Sequence, residues 1–156
     1  IRDRIRMLAE TDLKALKDPT LFSFWSSVSV RFSDLDPNNH VNNAITLSYI
    51  ETARLGIRSA VLNELDDETK NLSWVVVAQS IAYFQPISYP SEVKIGCFES
   101  GLGRTSFQLA YGVFINSVCH ASATSRSVCI DANTGRPVVL PDVFRSKLKE
   151  FHRVLT

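Results

Sequence analysis

The chain has 156 residues, 45% of them hydrophobic and 21% charged, which is enough apolar material for one packed domain and too few charges for a disordered chain. Seventeen Lys and Arg face sixteen Asp and Glu, a formal net charge of +1, so a surface built to hold nucleic-acid phosphates is excluded. No apolar run approaches the ~20 residues needed to span a bilayer.

Residues 1–17 set Ile1, Ile5, Leu8, Leu13 and Leu16 among charged residues, an irregular amphipathic helix that Pro19 ends. Residues 1–22 therefore read as an N-terminal helical extension and 23–156 as a single domain, with no repeat or low-complexity tract. From Val28 the period becomes two: Val28, Val30 and Phe32 alternate with Ser29, Arg31 and Ser33, a half-buried strand. The turn formers of Asp34-Leu35-Asp36-Pro37-Asn38-Asn39-His40 come next. Helical spacing runs from Asn43 to about Leu65, with Tyr49, Ile50, Ala53, Ile57, Ala60 and Val61 on one face. Asn42 or Asn43 can cap its start.

Beyond Asp66-Asp67-Glu68 the pattern is β. Strands are predicted over Trp74–Phe84, Val93–Phe98, Phe107–Ile115 and Val118–Ile130. Gly101-Leu102-Gly103 and Asp131-Ala132-Asn133-Thr134-Gly135 read as turns, and Asn116-Ser117 as a two-residue hairpin. A short helix begins near Asp142, after Pro141. Cys97, Cys119 and Cys129 each lie in an apolar run and read as reduced core residues, since the count is odd and no pair has CxxC spacing. Cys119, Ala121, Ala123 and Cys129 are small enough to lie beneath a helix. Strand, long helix and four consecutive strands make an α+β fold, a curved antiparallel β-sheet wrapped around one long central α-helix.

The stretch from Arg31 to Asn43 gathers two carboxylates, one imidazole and four carboxamides in a loop that enters a helix. Free N–H groups and a partial positive charge at a helix start favour an oxyanion, and a carboxylate beside them can act as base or nucleophile. Those parts suit acyl transfer to water. Each residue also has an ordinary explanation: Asp34, Asn38 and Asn39 are turn residues, Asp36 before Pro37 can form an Asx-turn, and Asn42 and Asn43 can be caps.

The string RFSDLDPNNHVNNAITLSYIETAR resembles the signature of the 4-hydroxybenzoyl-CoA-thioesterase-like hotdog family, and especially the D-x-N-x-H-V-N-N segment of plant acyl-ACP thioesterases. IAYFQPISYPSEVKIGC, GLGRTSF and DANTGRPVVLP extend the resemblance over most of residues 28–141. It implies the hotdog fold and hydrolysis of an acyl-CoA or acyl-carrier-protein thioester. Asp36 would be the base or nucleophile, with Asn38 and His40 beside it and the oxyanion site near Asn42 and Asn43. It also implies a homodimer or homotetramer with sites at the dimer interface. No cofactor is expected beyond the coenzyme A or pantetheine of the substrate, and no metal, since His40, His120 and His152 are scattered.

Two positions depart from the family. Asn39 stands where bacterial relatives have Gly, and Gln85 where the plant enzymes have Glu, so Asp36 would act without a second carboxylate. A hotdog acyl-thioester hydratase or dehydratase and a non-catalytic acyl-carrier-binding protein are the alternatives. A cytoplasmic location is expected, with room for a targeting segment upstream of Ile1.

Overall fold

The computed structural model describes residues 10–62, 69, 71–153 and 155. The first part of the helix expected over residues 1–17 lies outside them. The described chain opens with α1 (Glu10–Leu13) and 3-10 turns at Lys14–Lys17 and Pro19–Leu21. Then come β1 (Phe24–Ser29), a 3-10 turn at Phe32–Asp34, and the central helix α2 (Asn43–Leu62). The strands β2 (Leu72–Tyr83), β3 (Glu92–Leu102), β4 (Ser106–Ile115) and β5 (Val118–Asp131) precede α3 (Asp142–Lys149). Among the described residues no helix is long and apolar enough to cross a membrane.

The five strands form one antiparallel sheet in the order β1-β3-β4-β5-β2. β3, β4 and β5 are neighbours in sequence and in space, as expected. β2 is not a neighbour of β3: it pairs with β5 at the far edge, with Trp74 opposite Cys129 and Tyr83 opposite Ala121. β1 takes the place beside β3, with Phe24 opposite Cys97. The link between β2 and β3 is therefore a crossing from one edge towards the other, not a hairpin, and it carries Pro86 and Pro90.

Several boundaries differ from the sequence pattern for local reasons. β1 begins at Phe24, not Val28, because serines at 26, 27 and 29 hide an alternation of half-buried and exposed residues. It stops short of Phe32, whose ring is 73% exposed, because the Asp34 carboxylate accepts from the Arg31 N–H at 2.9 Å and turns the chain. β3 runs through the expected turn at Gly101 to Leu102, with a bulge between Glu99 and Gly101. The Asn116-Ser117 hairpin forms as read, with φ of 49° and 65°. The last expected turn of α2, at 63–65, lies outside the described residues.

α2 buries Thr46, Tyr49, Ile50, Ala53, Ile57 and Val61 against one face of the sheet. Beneath it lie Ile95, Cys97, Leu109, Tyr111, Ala121, Ala123 and Cys129. α3 closes one end of this core, setting Phe144 against Trp74 at 4.6 Å between ring centroids. The opposite face is covered as well. Leu13, Leu16 and Phe22 pack there on Phe98, Ala110, Phe114 and Cys119, and the Ser122 hydroxyl donates to the Leu13 carbonyl at 2.6 Å. Cys119 thus lies away from the central helix, not beneath it as the small-residue pattern suggested. The register shift at Val113/Phe114 separates it from Ala121. All three cysteines are unpaired and buried.

Phe22 sits where the sheet has no side chains. A Cβ on Gly96 would lie 2.5 Å from Phe22 Cγ, and one on Gly112 2.7 Å from Phe22 Cζ. We predict that Gly96→Ala lowers stability by about 1–3 kcal/mol through overpacking. In a Phe22→Ala background the same change should cost much less, and a double-mutant cycle by denaturant unfolding measures the difference.

Candidate active site

The loop between β1 and α2 is organised by Asp34. Its carboxylate is 2% exposed and accepts from the Tyr49 hydroxyl at 2.6 Å, the Arg31 N–H at 2.9 Å and Arg31 Nε at 3.2 Å, while Arg31 Nη2 lies at 3.0 Å. Its own carbonyl accepts from the Asn42 N–H at 2.9 Å. Burial alone would raise the Asp34 pKa, but the bonds from Tyr49 and Arg31 outweigh it and hold the carboxyl below the usual range. Its side chain thereby ties the start of the loop to the second turn of α2, and its backbone carbonyl holds the loop's end.

Between the clamped ends the chain makes a tight turn. Leu35 and Val41 form a β-bridge, and Val41 N–H donates to the Ile87 carbonyl at 2.8 Å, tying the loop to the segment leaving β2. Asp36 N–H donates to the His40 carbonyl at 2.8 Å, and Asn39 N–H to the Asp36 carbonyl at 3.0 Å. Asn39 adopts φ 60°, the left-handed conformation that glycine takes freely and asparagine tolerates. The Asn-for-Gly departure is thus compatible with the same turn.

Asp36 Oδ1 accepts from the N–H groups of Asn38 at 2.8 Å and His40 at 3.4 Å. Oδ2 makes no hydrogen bond among the described residues. The neighbours hold the carboxylate through their backbone amides, and their side chains make no bond to it. The first amide of α2, on Asn43, likewise has no partner among the described residues. Asn42 has other duties: besides its N–H bond to Asp34, its side chain accepts from the Ala44 N–H at 2.9 Å. It is the helix cap, the reading the sequence left open, and its amide is unavailable to an oxyanion.

Asp36, Asn38, His40 and Asn43 line one open pocket of about 390 Å³; Asn42 is not among its walls. Thr46 and Val41 complete the loop-and-helix side. The opposite wall comes from the end of β2 and the start of β5: Tyr83, Gln85, Pro86, His120 and Ala121. The Tyr83 hydroxyl donates to the Asn43 carbonyl at 2.8 Å and joins the walls. Burial raises its pKa, so it stays a neutral donor. Gln85 carries no carboxylate, and beside it His120 Nδ1 lies 3.0 Å from the Pro86 carbonyl. His120 and Tyr83 escaped the sequence reading. The cue for them is the β2–β5 register, in which the amides of Phe84 and Gln85 both donate to the His120 carbonyl, and sequence order gives no hint of that pairing.

The pocket is lined by Asp36, one oxygen of which has no partner among the described residues, and by Asn43, whose amide likewise has none among them, at the positive end of a helix of 20 residues. Among the described residues no group of three or more His, Cys, Asp and Glu side chains converges as a metal site.

The profile of the thioesterase-like superfamily matches residues 30–148. YsmA of Bacillus subtilis is 30% identical over 107 residues, 69% of this chain and 71% of its own length. A 1,4-dihydroxy-2-naphthoyl-CoA hydrolase of Nostoc punctiforme is 28% identical over 122 residues, 77% of this chain and 82% of its own. A Thermus thermophilus thioesterase solved with coenzyme A and zinc superposes with a TM-score of 0.72 at 35% identity, covering 84% of this chain and 95% of the other.

The depressed Asp34 pKa sets a pH dependence. Its contribution to stability is fully present above the unfolded aspartate pKa of about 4 and is lost as the pH falls further, towards the folded value. Asp34→Asn is expected to cost about 1.5–3 kcal/mol at pH 7, the worth of hydrogen bonds to a charged group. Urea unfolding at pH 7 and pH 3 should show the gap between variant and wild type narrowing in acid.

Proposed function

The chain belongs to the thioesterase-like superfamily and has its hotdog fold, and from that premise we propose that it hydrolyses acyl thioesters of coenzyme A or an acyl-carrier pantetheine. Asp36 Oδ2 takes a proton from a water, which attacks the thioester carbonyl. The Asn43 N–H faces the oxygen that becomes negative, helped by the helix end. The C–S bond then breaks, and the proton held by Asp36 passes to the departing sulfur, so that water and thioester become free acid and thiol. Asn38 and His40 border the path of the water and orient it. The observation that carries this reading is one pocket lined by both Asp36 and Asn43, whose Oδ2 and amide have no partner among the described residues.

The relatives support a coenzyme A thioester as the first substrate to try, since one is a naphthoyl-CoA hydrolase and another holds coenzyme A. A homodimer through the free edge of β2 is part of the proposal. Among the described residues that strand is an edge of the sheet, and it exposes Val75 at 44% and Val77 at 49%.

Thiol release from acyl-CoA substrates of graded length tests the reaction, with enoyl hydration assayed in parallel. Asp36→Asn, still folded, is expected to lower kcat by about 10²–10⁴-fold, the usual worth of a positioned base. Near-wild-type turnover would remove Asp36 from the reaction. Replacing Val75 and Val77 together by Lys is expected to shift the protein from dimer to monomer in sedimentation; an unchanged mass would rule out the β2 edge as the interface.

A further inference from the structure

The loop pocket accounts for the reacting carbonyl and leaves Arg54 unexplained. α2 packs mainly over β1 and β3, so its other flank faces the edge strand β2. At the Asp36 end, Tyr83 joins β2 to Asn43 of α2. Arg54 joins the two elements again eleven positions after Asn43, about 16 Å further along the helix axis. Its guanidinium donates to Gln79 Oε1 at 3.3 Å and pairs with Glu51 Oε2 at 3.1 Å.

Arg54 lines a second, separate cavity of about 190 Å³, whose walls include Glu51, Arg58, Trp74 and Ser127. The Arg58 guanidinium lies over the Trp74 ring, 5.2 Å from its centroid. The strands below are polar where an alkyl slot needs no polarity. The Tyr111 and Ser125 hydroxyls, both about 1% exposed or less, share a 2.7 Å hydrogen bond. Burial raises the Tyr111 pKa, while Ser125 and the neighbouring Arg54 act the other way. The Arg54 side chain is itself only 14% exposed. Two arginines against one glutamate leave this cavity one positive charge in excess.

A methyl-ended chain laid into this cavity would strip water from these guanidinium groups and return no acceptor. A chain ending in a carboxylate would return two oxygens to a planar fork suited to them. We propose that Arg54, with Arg58 beside it, selects thioesters whose acyl chain carries a carboxylate at the end remote from the sulfur; this rests on the thioesterase reading above. The thioester then lies at Asp36 and the remote carboxylate in the arginine cavity, with the chain running between α2 and β2.

The test is thiol release from paired acyl-CoA substrates of equal chain length, methyl-ended and carboxyl-ended, over a series of lengths. The wild type is expected to favour the carboxyl-ended member by about tenfold or more in kcat/KM at the best-fitting length, chiefly through KM. In Arg54→Met that ratio should fall about tenfold, and Arg54→Lys, which keeps the charge and loses the fork, should lie between. Turnover of methyl-ended chains with no preference in the wild type overturns the selection and leaves the thioesterase reading standing. So does a folded Arg54→Met or Arg54→Lys that keeps the full ratio. Absence of thiol release from every chain overturns both.

Discussion

The arrangement of the pocket depends on burying the Asp34 carboxylate. A charge so enclosed is costly unless every lone pair is answered, and here a phenol, a backbone amide and a guanidinium answer it. Those partners come from the loop's beginning and from the second turn of α2, and the Asp34 carbonyl holds the amide of Asn42, just before the helix. The loop therefore has fixed ends, and only the short turn from Asp36 to His40 remains to be shaped. Two residues on, Asp36 meets the opposite fate. It is half-buried, one oxygen answered by two amides and the other left open. Two aspartates in one loop thus divide the work, one satisfied and structural, the other half-satisfied and facing a pocket.

The same division explains what could be read from the chain before folding. The loop string, the long helix with its buried face and the Asn116-Ser117 hairpin are local patterns, and they were legible. The strand order was not, because pairing of β2 with β5 is a non-local choice between residues 38 to 59 positions apart. With it went half of the pocket: Tyr83 and His120 join Asp36 only through that register. The roles of Asp34 and Asn42 were ambiguous for a related reason. Both are common turn or cap residues, and only Tyr49 and Arg31, brought in by folding, show that Asp34 is the clamp.

The position of α2 has a further effect on the chemistry available. Because it packs over β1 and β3, the concave face towards β5 and β2 is covered only in part. Two separate cavities flank the helix, and their polar groups differ in kind, a carboxylate and a helix start in one, guanidinium groups in the other.

The aromatic ring of residue 22 ties three distant positions into a single inherited unit. The ring needs two bare backbone stretches to lie on, and those stretches lie bare because the ring fills them. A change at 22 therefore alters what positions 96 and 112 can hold, with Phe114 sharing the constraint at 112. A chain that lacks the aromatic regains room for a side chain at 96, whereas the Phe114 ring still crowds position 112.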